Sequence, residues 1–159
     1  MIRATVLGIL LLSTAVAPAV AVTGQAVVVD GDTMDVAGER IRLWGIDAPE
    51  SRQTCLRERE PYACGQMATD HLRSLLGQRE VDCTPRAKDR YGRTVAVCRF
   101  EGIDLGAAMV KDGWALAFVR YSRDYVGEEN EARQARRGMW SGAFALPWEW
   151  RANRLAPLK

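Results

Sequence analysis

The sequence predicts a mainly β protein with helices interposed, an α+β arrangement on a small closed or nearly closed barrel of five short strands. Three observations carry that expectation. Five short strand-like runs are bounded by turn residues such as Gly38-Glu39 and Glu101-Gly102. Helical stripes are interposed among and after them. Five short strands left open would also expose two edges, which closure removes.

The first strand is expected at Gly24 to Val29, followed by a turn in DGDT and a partner at Met34-Asp35-Val36. Ala37-Gly38-Glu39 turns the chain into a third strand, Ile41 to Ile46. After Pro49 the chain is polar and irregular through Pro61. A helix is expected over Gly65 to Leu76, with Ala68, Leu72, Leu75 and Leu76 on one stripe and Gly77 as its stop. The fourth strand covers Arg79 to Cys83, where Pro85 breaks it, and the fifth covers Arg93 to Phe100. Asp104 caps a short helix through Lys111, closed by Gly113. Trp114 to Tyr121 reads as an extended apolar piece. A last helix runs from Glu128 to Arg137, stopped by Gly138. From about Met139 a Trp-rich tail begins, with Trp140, Trp148 and Trp150 expected to cover the barrel. No internal repeat appears, so one domain is expected.

The start of the chain reads as a signal peptide rather than as part of the fold. Arg3 is followed by the apolar run Val6 to Leu12, and Ala19-Val20-Ala21 fits a small-residue cleavage site. Residues 1–21 are then the leader and 22–159 the mature domain, placed outside the cell or in the periplasm; an uncleaved anchor is the alternative. Removing Arg3 leaves 21 basic residues against 20 acidic ones. That balance does not announce a nucleic-acid binder, although basic residues cluster locally over Arg79 to Arg93 and through Arg133, Arg136, Arg137, Arg151 and Arg154. In an exported chain the four cysteines are expected to pair. Cys55–Cys64 would clip a polar loop and Cys83–Cys98 would join facing strands; a zinc site is the alternative.

The chemistry concentrates between Asp30 and Glu50. A hairpin there brings Asp32, at one strand's exit, close to Asp47, with Asp30 and Glu50 flanking them. Crowded carboxylates need a cation or an arginine to neutralise them. Oxygen ligands suit a hard cation, while a merely solvated polar hairpin is the other reading of the same spacing. Arg42 sits in the apolar run IRLWGI, where it either snorkels or answers Asp32, Asp47 or Glu50. A second cluster, KDRYGR, carries Lys88, Tyr91 and Arg93 on a turn. There the arginine suits a two-pronged grip on phosphate, and an exposed basic turn is the plainer reading. His71 reads as a boundary residue and Trp44 as packing. Tyr121 is a candidate base-stacking platform.

Taken together, DGDT, IRLWGIDAPE, CGQMAT, DRYGR, DLGAAMVKDGWA and EARQARRGMW resemble the staphylococcal nuclease (thermonuclease) family in order and spacing, over roughly Val27 to Trp140. The resemblance implies a five-stranded OB-fold barrel with three helices, and calcium-dependent hydrolysis of DNA and RNA that leaves 3′-phosphates. It implies that Asp32, Asp47 and the backbone carbonyl of Ala48 hold Ca2+, where family members often have Thr at the last position. Glu50 would handle the attacking water, and Arg42 and Arg93 would grip the scissile phosphate. Asp30 and Thr33 would flank the site, with Tyr91 near the nucleotide's phosphate end and Lys88 and Tyr121 also on the substrate. The cysteine-bearing loop and the PWEWR tail are additions to that pattern. The expected substrate is single-stranded or locally melted nucleic acid, met by a monomer without stable membrane contact. A non-catalytic nucleic-acid or protein binding module on the same barrel is the alternative; it needs neither the water-handling glutamate nor the metal pair.

Overall fold

The computed structural model describes residues 20–77 and 80–155. The expected leader lies outside these residues except for Val20 and Ala21, as does Arg79 at the start of the expected fourth strand. Strands β1 (Val22–Gly24) and β2 (Ala26–Asp30) form one run interrupted at Gln25. β3 (Thr33–Val36) returns antiparallel to β2, and β4 (Glu39–Leu43) antiparallel to β3. The turn between them holds Ala37 and Gly38 at positive φ, and the Gly38 position is open to solvent on its Cβ side. Short β5 (Ile46–Asp47) follows, then a hairpin of β6 (Cys55–Arg57) and β7 (Glu60–Tyr62), and helix α1 (Cys64–Leu75). β8 (Val81–Lys88) and β9 (Thr94–Phe100) pair antiparallel, with β10 (Ile103–Asp104) extending the ladder beyond β9. Helix α2 (Leu105–Lys111), strand β11 (Leu116–Ala117), helix α3 (Val126–Gln134), a 3₁₀ turn at Gly138–Ser141 and helix α4 (Pro147–Leu155) follow among the described residues.

The result is an α+β fold with, among the described residues, one seven-stranded sheet of order β1-β8-β9-β4-β3-β2, with β10 on β9, and four α-helices. The expected count of five strands and three helices is therefore exceeded. β5 and β11 form a separate pair, β6 and β7 another, and α4 is an additional helix in the tail. The expected closed or nearly closed barrel is not closed by hydrogen bonding, since among the described residues no ladder joins β1 to β2. The two ends of the sheet are instead consecutive in the chain, because the run across Gln25 leaves β8 and takes up pairing with β3.

Pro85 does not end the fourth strand of the sequence reading. β8 continues to Lys88 through a register shift between Pro85 and Ala87, the kind of irregularity that accommodates a residue without an N–H. Asp104 caps α2 as expected, its side chain accepting from the Ala107 N–H at 3.1 Å. Between α2 and α3 the expected extended piece is mostly turns around two-residue β11.

Met34, Ile41, Leu43, Ile46, Leu72, Leu105 and Met109 are fully buried between the sheet and the helices, each contributing about 1.5–3 kcal/mol of apolar burial. Cys55, Cys64, Leu116 and Met139 make a second, smaller core, and Trp140, Phe144 and Trp148 of the tail pack onto it. Both expected disulfides are present. Cys55–Cys64 closes the β6–β7 loop onto α1, and Cys83–Cys98 joins residues in register across β8 and β9. Among the described residues no helix is long and apolar enough to cross a membrane.

Candidate active site

The turn from β2 to β3 sets the position of the first acid. A Cβ on Gly31 would lie 2.8 Å from that of Ala48 and 3.0 Å from that of Ala68. Glycine there lets the turn close against α1 and the segment after β5. Asp32 is buried by this approach. Its carboxylate accepts from Thr33 Oγ1 at 2.9 Å and from the Ala48 N–H at 3.2 Å. Arg42, opposite Thr33 in the β3–β4 ladder, meets Asp32 with both prongs, Nη1 to Oδ1 and Nη2 to Oδ2, each at 2.9 Å. Its Nη2 also reaches Asp47 Oδ1 at 2.7 Å. One guanidinium thus bridges the two acids, and Asp47 is completely buried behind it.

Glu50 is held mainly through its backbone. Its N–H donates to Gln53 Oε1 at 3.2 Å, and its carbonyl accepts from the Gln53 N–H at 2.7 Å. A Cβ on Gly65 in the first turn of α1 would sit 1.7 Å from the Glu50 carbonyl oxygen, so that approach requires glycine. Fully buried Gln53 donates its Nε2 to the Ala145 carbonyl at 2.7 Å, tying the Glu50 loop to the tail. The side chain of Glu50 accepts from Arg151 on α4, Nη1 to Oε1 at 2.8 Å. The same guanidinium binds Asp47 twice, Nη1 to Oδ1 at 3.1 Å and Nη2 to Oδ2 at 2.7 Å.

Asp30 Oδ1 accepts from the Asp32 N–H at 3.1 Å, so four carboxylates and two guanidinium groups meet here, leaving acid in excess. Burial pushes the Asp47 carboxyl above its ordinary value, against the pull of the Arg151 hydrogen bond. Burial and then the neighbouring Asp32 charge raise Asp30 to about 6. Burial works against the charges of Arg42 and Arg151, but their acid partners outweigh it and raise both.

The other expected residues stand apart from this cluster in their bonding. Arg93 donates through Nε to Asp89 Oδ2 at 2.7 Å and lies over the Tyr91 ring, 5.5 Å from its centre. The parallel β4–β9 register pairs Arg42 with Val95. Arg93 lies one residue before β9 begins. Lys88 is engaged with Glu39 and Thr94. Tyr91 and Tyr121 are exposed, and Tyr121 packs on Phe118 with ring centres 5.1 Å apart. His71 bonds Asp112 at 2.9 Å, and Trp44 donates to Asp124 at 2.9 Å. Among the described residues no group of three or more His, Cys, Asp or Glu side chains is arranged around a common metal position. The donor chemistry still suits a hard cation: Asp32 and Asp47 supply oxygens beside the Ala48 backbone, the local acid surplus favours positive charge, and water would complete the shell.

Sequence reasoning missed Gln53 and the role of Arg151. The latter was visible only as one basic residue of the tail, and no local pattern links it to an acid 104 residues earlier.

Fold and site define an α+β protein that gathers oxygen ligands and guanidinium forks at one place, chemistry suited to phosphate esters. The chain belongs to the family of staphylococcal nuclease homologues, whose model matches residues 40–142. It is 39% identical over 135 residues to a protein named as an uncharacterized endonuclease in Escherichia coli O157:H7, covering 80% of this chain and 82% of that one. It is 37% identical over 142 residues to a micrococcal nuclease of Shigella flexneri, covering 78% and 76% of the two chains. It is also 36% identical over 139 residues to the succinoglycan biosynthesis protein ExoI of Rhizobium meliloti, covering 85% and 73%. The protein is accordingly a nuclease, a hydrolase acting on nucleic acid.

Proposed function

We propose that the protein is an exported, calcium-dependent nuclease that hydrolyses both DNA and RNA to 3′-phosphorylated products. Residues 1–21 are its signal peptide, and residues 22–159 form a monomeric nuclease domain of the OB type. The observation that carries this reading is the single guanidinium of Arg42 bridging buried Asp32 and Asp47, with Glu50 three residues beyond the second acid. Asp32, Asp47 and the Ala48 carbonyl would hold the ion. When bound, calcium supplies charge neutralisation at the phosphoryl oxygens. Glu50 takes the proton of the attacking water, whose oxygen bonds to phosphorus as the P–O5′ bond breaks, leaving the phosphate on the 3′ oxygen. Arg42 and Arg93 neutralise charge building on the equatorial oxygens. Lys88 and Tyr91 serve the strand's phosphates, and exposed Tyr121 offers a face for a base. The two disulfides suit a secreted or periplasmic setting.

The test is incubation of the purified mature chain with single-stranded DNA and RNA, with calcium and then with excess chelator. Both substrates should be cut, and cutting should stop on chelation. Glu50→Gln should lower kcat by about 10² or more while calcium affinity holds. Equal activity after rigorous chelation would overturn the calcium assignment.

A further inference from the structure

The most unexpected contact in the molecule is made by the last helix. Arg151 lies beyond the matched span of residues 40–142, yet its fork takes both oxygens of Asp47 and one oxygen of Glu50. These are the acids assigned above to holding the ion and to drawing off the water's proton. A guanidinium in that position neutralises part of the charge that a divalent cation would neutralise. It also uses the Glu50 oxygen lone pair on which proton abstraction depends. We propose that Arg151 is a cation surrogate: it and the metal ion occupy the Asp47–Glu50 acids alternately, so that loading the ion releases α4. The inference rests on the metal-site reading given under Proposed function.

Charge and attachment both support it. With Arg42 and Arg151 in place the cluster's acid excess is already reduced, and the Asp47 and Glu50 oxygens that an ion would take are the ones that Arg151 uses. Arg42 is anchored in the ladder of β4, flanked in the strand by core residues Ile41 and Leu43, so its backbone cannot leave without disturbing the sheet. Arg151 can leave. Its side chain is 37% exposed, against 19% for Arg42. Trp148 lies against Phe118 with ring centres 5.7 Å apart, and Trp150 Nε1 is buried without an acceptor among the described residues. A buried donor left unpaired weakens the docked state. The strap before the helix is firmer. Ala143 and Leu56 exchange backbone hydrogen bonds at 2.8 and 2.9 Å, and Gln53 holds the Ala145 carbonyl. The hinge therefore falls between Ala145 and Pro147.

Binding linkage makes the idea testable in two directions, because mutual exclusion must appear equally in ion affinity and in helix docking. Calcium binding to the mature chain is measured by calorimetry for wild type, Arg151→Ala, Arg151→Lys and Asp47→Asn. Backbone hydrogen exchange over residues 147–155 is followed in wild type with and without calcium. Arg151→Ala should bind calcium on the order of tenfold more tightly than wild type, with Arg151→Lys in between. Calcium should speed exchange in α4 of the unmodified protein, a readout that needs no variant to fold. Equal or weaker affinity in Arg151→Ala, or α4 exchange indifferent to calcium, overturns the proposal. If wild type binds calcium and Asp47→Asn does not, that failure belongs to Arg151 alone. If no variant binds calcium, the metal-site reading falls and this proposal falls with it.

Discussion

Asp47 receives two guanidinium groups that reach it by opposite routes. Arg42 comes from five residues away in the chain, across the tight connection between β4 and β5; Arg151 comes from 104 residues away, on the terminal helix. The first contact is built by the sheet. Its donor is 19% exposed and sits between buried ladder residues, and it grips Asp32 as well. The second is built by a strap and a short helix laid over the finished fold, and its donor is 37% exposed. The same chemistry is thus made once as part of folding and once as an addition. Removing the two should have different consequences: loss of the first damages fold and reaction together, while loss of the second changes occupancy of the site and leaves the fold standing.

The largest effect is expected from Arg42→Lys. Lysine keeps the charge but cannot hold Asp32 with two prongs while bridging to Asp47. We expect kcat to fall by about 10² or more, and stability to fall by about 2 kcal/mol as buried acids lose partners. Single-turnover cleavage and urea denaturation measure the two losses. A variant that lost activity with unchanged stability would break the comparison, because the local contact would then be as dispensable to the fold as the distal one.

The contrast also explains what the sequence could disclose. Asp32, Arg42, Asp47 and Glu50 lie within 19 consecutive residues, and strand alternation with turn residues is enough to bring them together. The capped helix after Asp104 and the Cys83–Cys98 bridge were legible for the same reason, since their determinants are neighbours in the chain or across one hairpin. Arg151 and Gln53 were not legible. Their partners are set by where the strap crosses the β6–β7 hairpin, and nothing in PWEWR specifies that crossing. Pro85 misled in another way: a proline signals a break, and only the sheet shows the register shift that absorbs it. Counting strands also does not reveal how the sheet's ends meet: one run serves both, and among the described residues no ladder joins β1 to β2.

Gln53→Ala should have an intermediate effect and sharpens the comparison from the other side. The side chain is fully buried, and both of its ends are used, on the Glu50 N–H and on the Ala145 carbonyl 92 residues away. Truncation leaves a buried donor and a buried acceptor unpaired, a loss of about 1–3 kcal/mol. Because one end positions Glu50 and the other positions the strap, kcat should fall about tenfold while calcium affinity changes little. Gln53→Glu, which keeps the acceptor for Glu50 but not the donor for Ala145, should restore kcat better than it restores stability. If both variants lost kcat equally, the strap rather than Glu50's backbone would be what Gln53 serves.

The smallest effect is expected at Asp89, the partner of the third guanidinium, Arg93, and the most local of these acids. Asp89 accepts from the Arg93 side chain at 2.7 Å and from the backbone N–H groups of Tyr91 and Arg93 at 2.9 and 3.0 Å. Burial disfavours the Asp89 charge, but these donors outweigh it and hold its carboxyl below the ordinary range. A depressed carboxylate stabilises the fold above its unfolded value, near 3.9, and that contribution disappears as pH falls through the lower folded value. Asp89→Asn removes the charge and keeps one acceptor oxygen, so at pH 7 it should cost about 1 kcal/mol, as a partly exposed ion pair does. The gap between wild type and variant should then close as the solution is acidified below the ordinary carboxylate range. Urea denaturation of both proteins at neutral and acid pH measures it. A gap that persisted unchanged in acid would mean that shape rather than charge holds this turn, and Arg93 would then be positioned by the backbone alone.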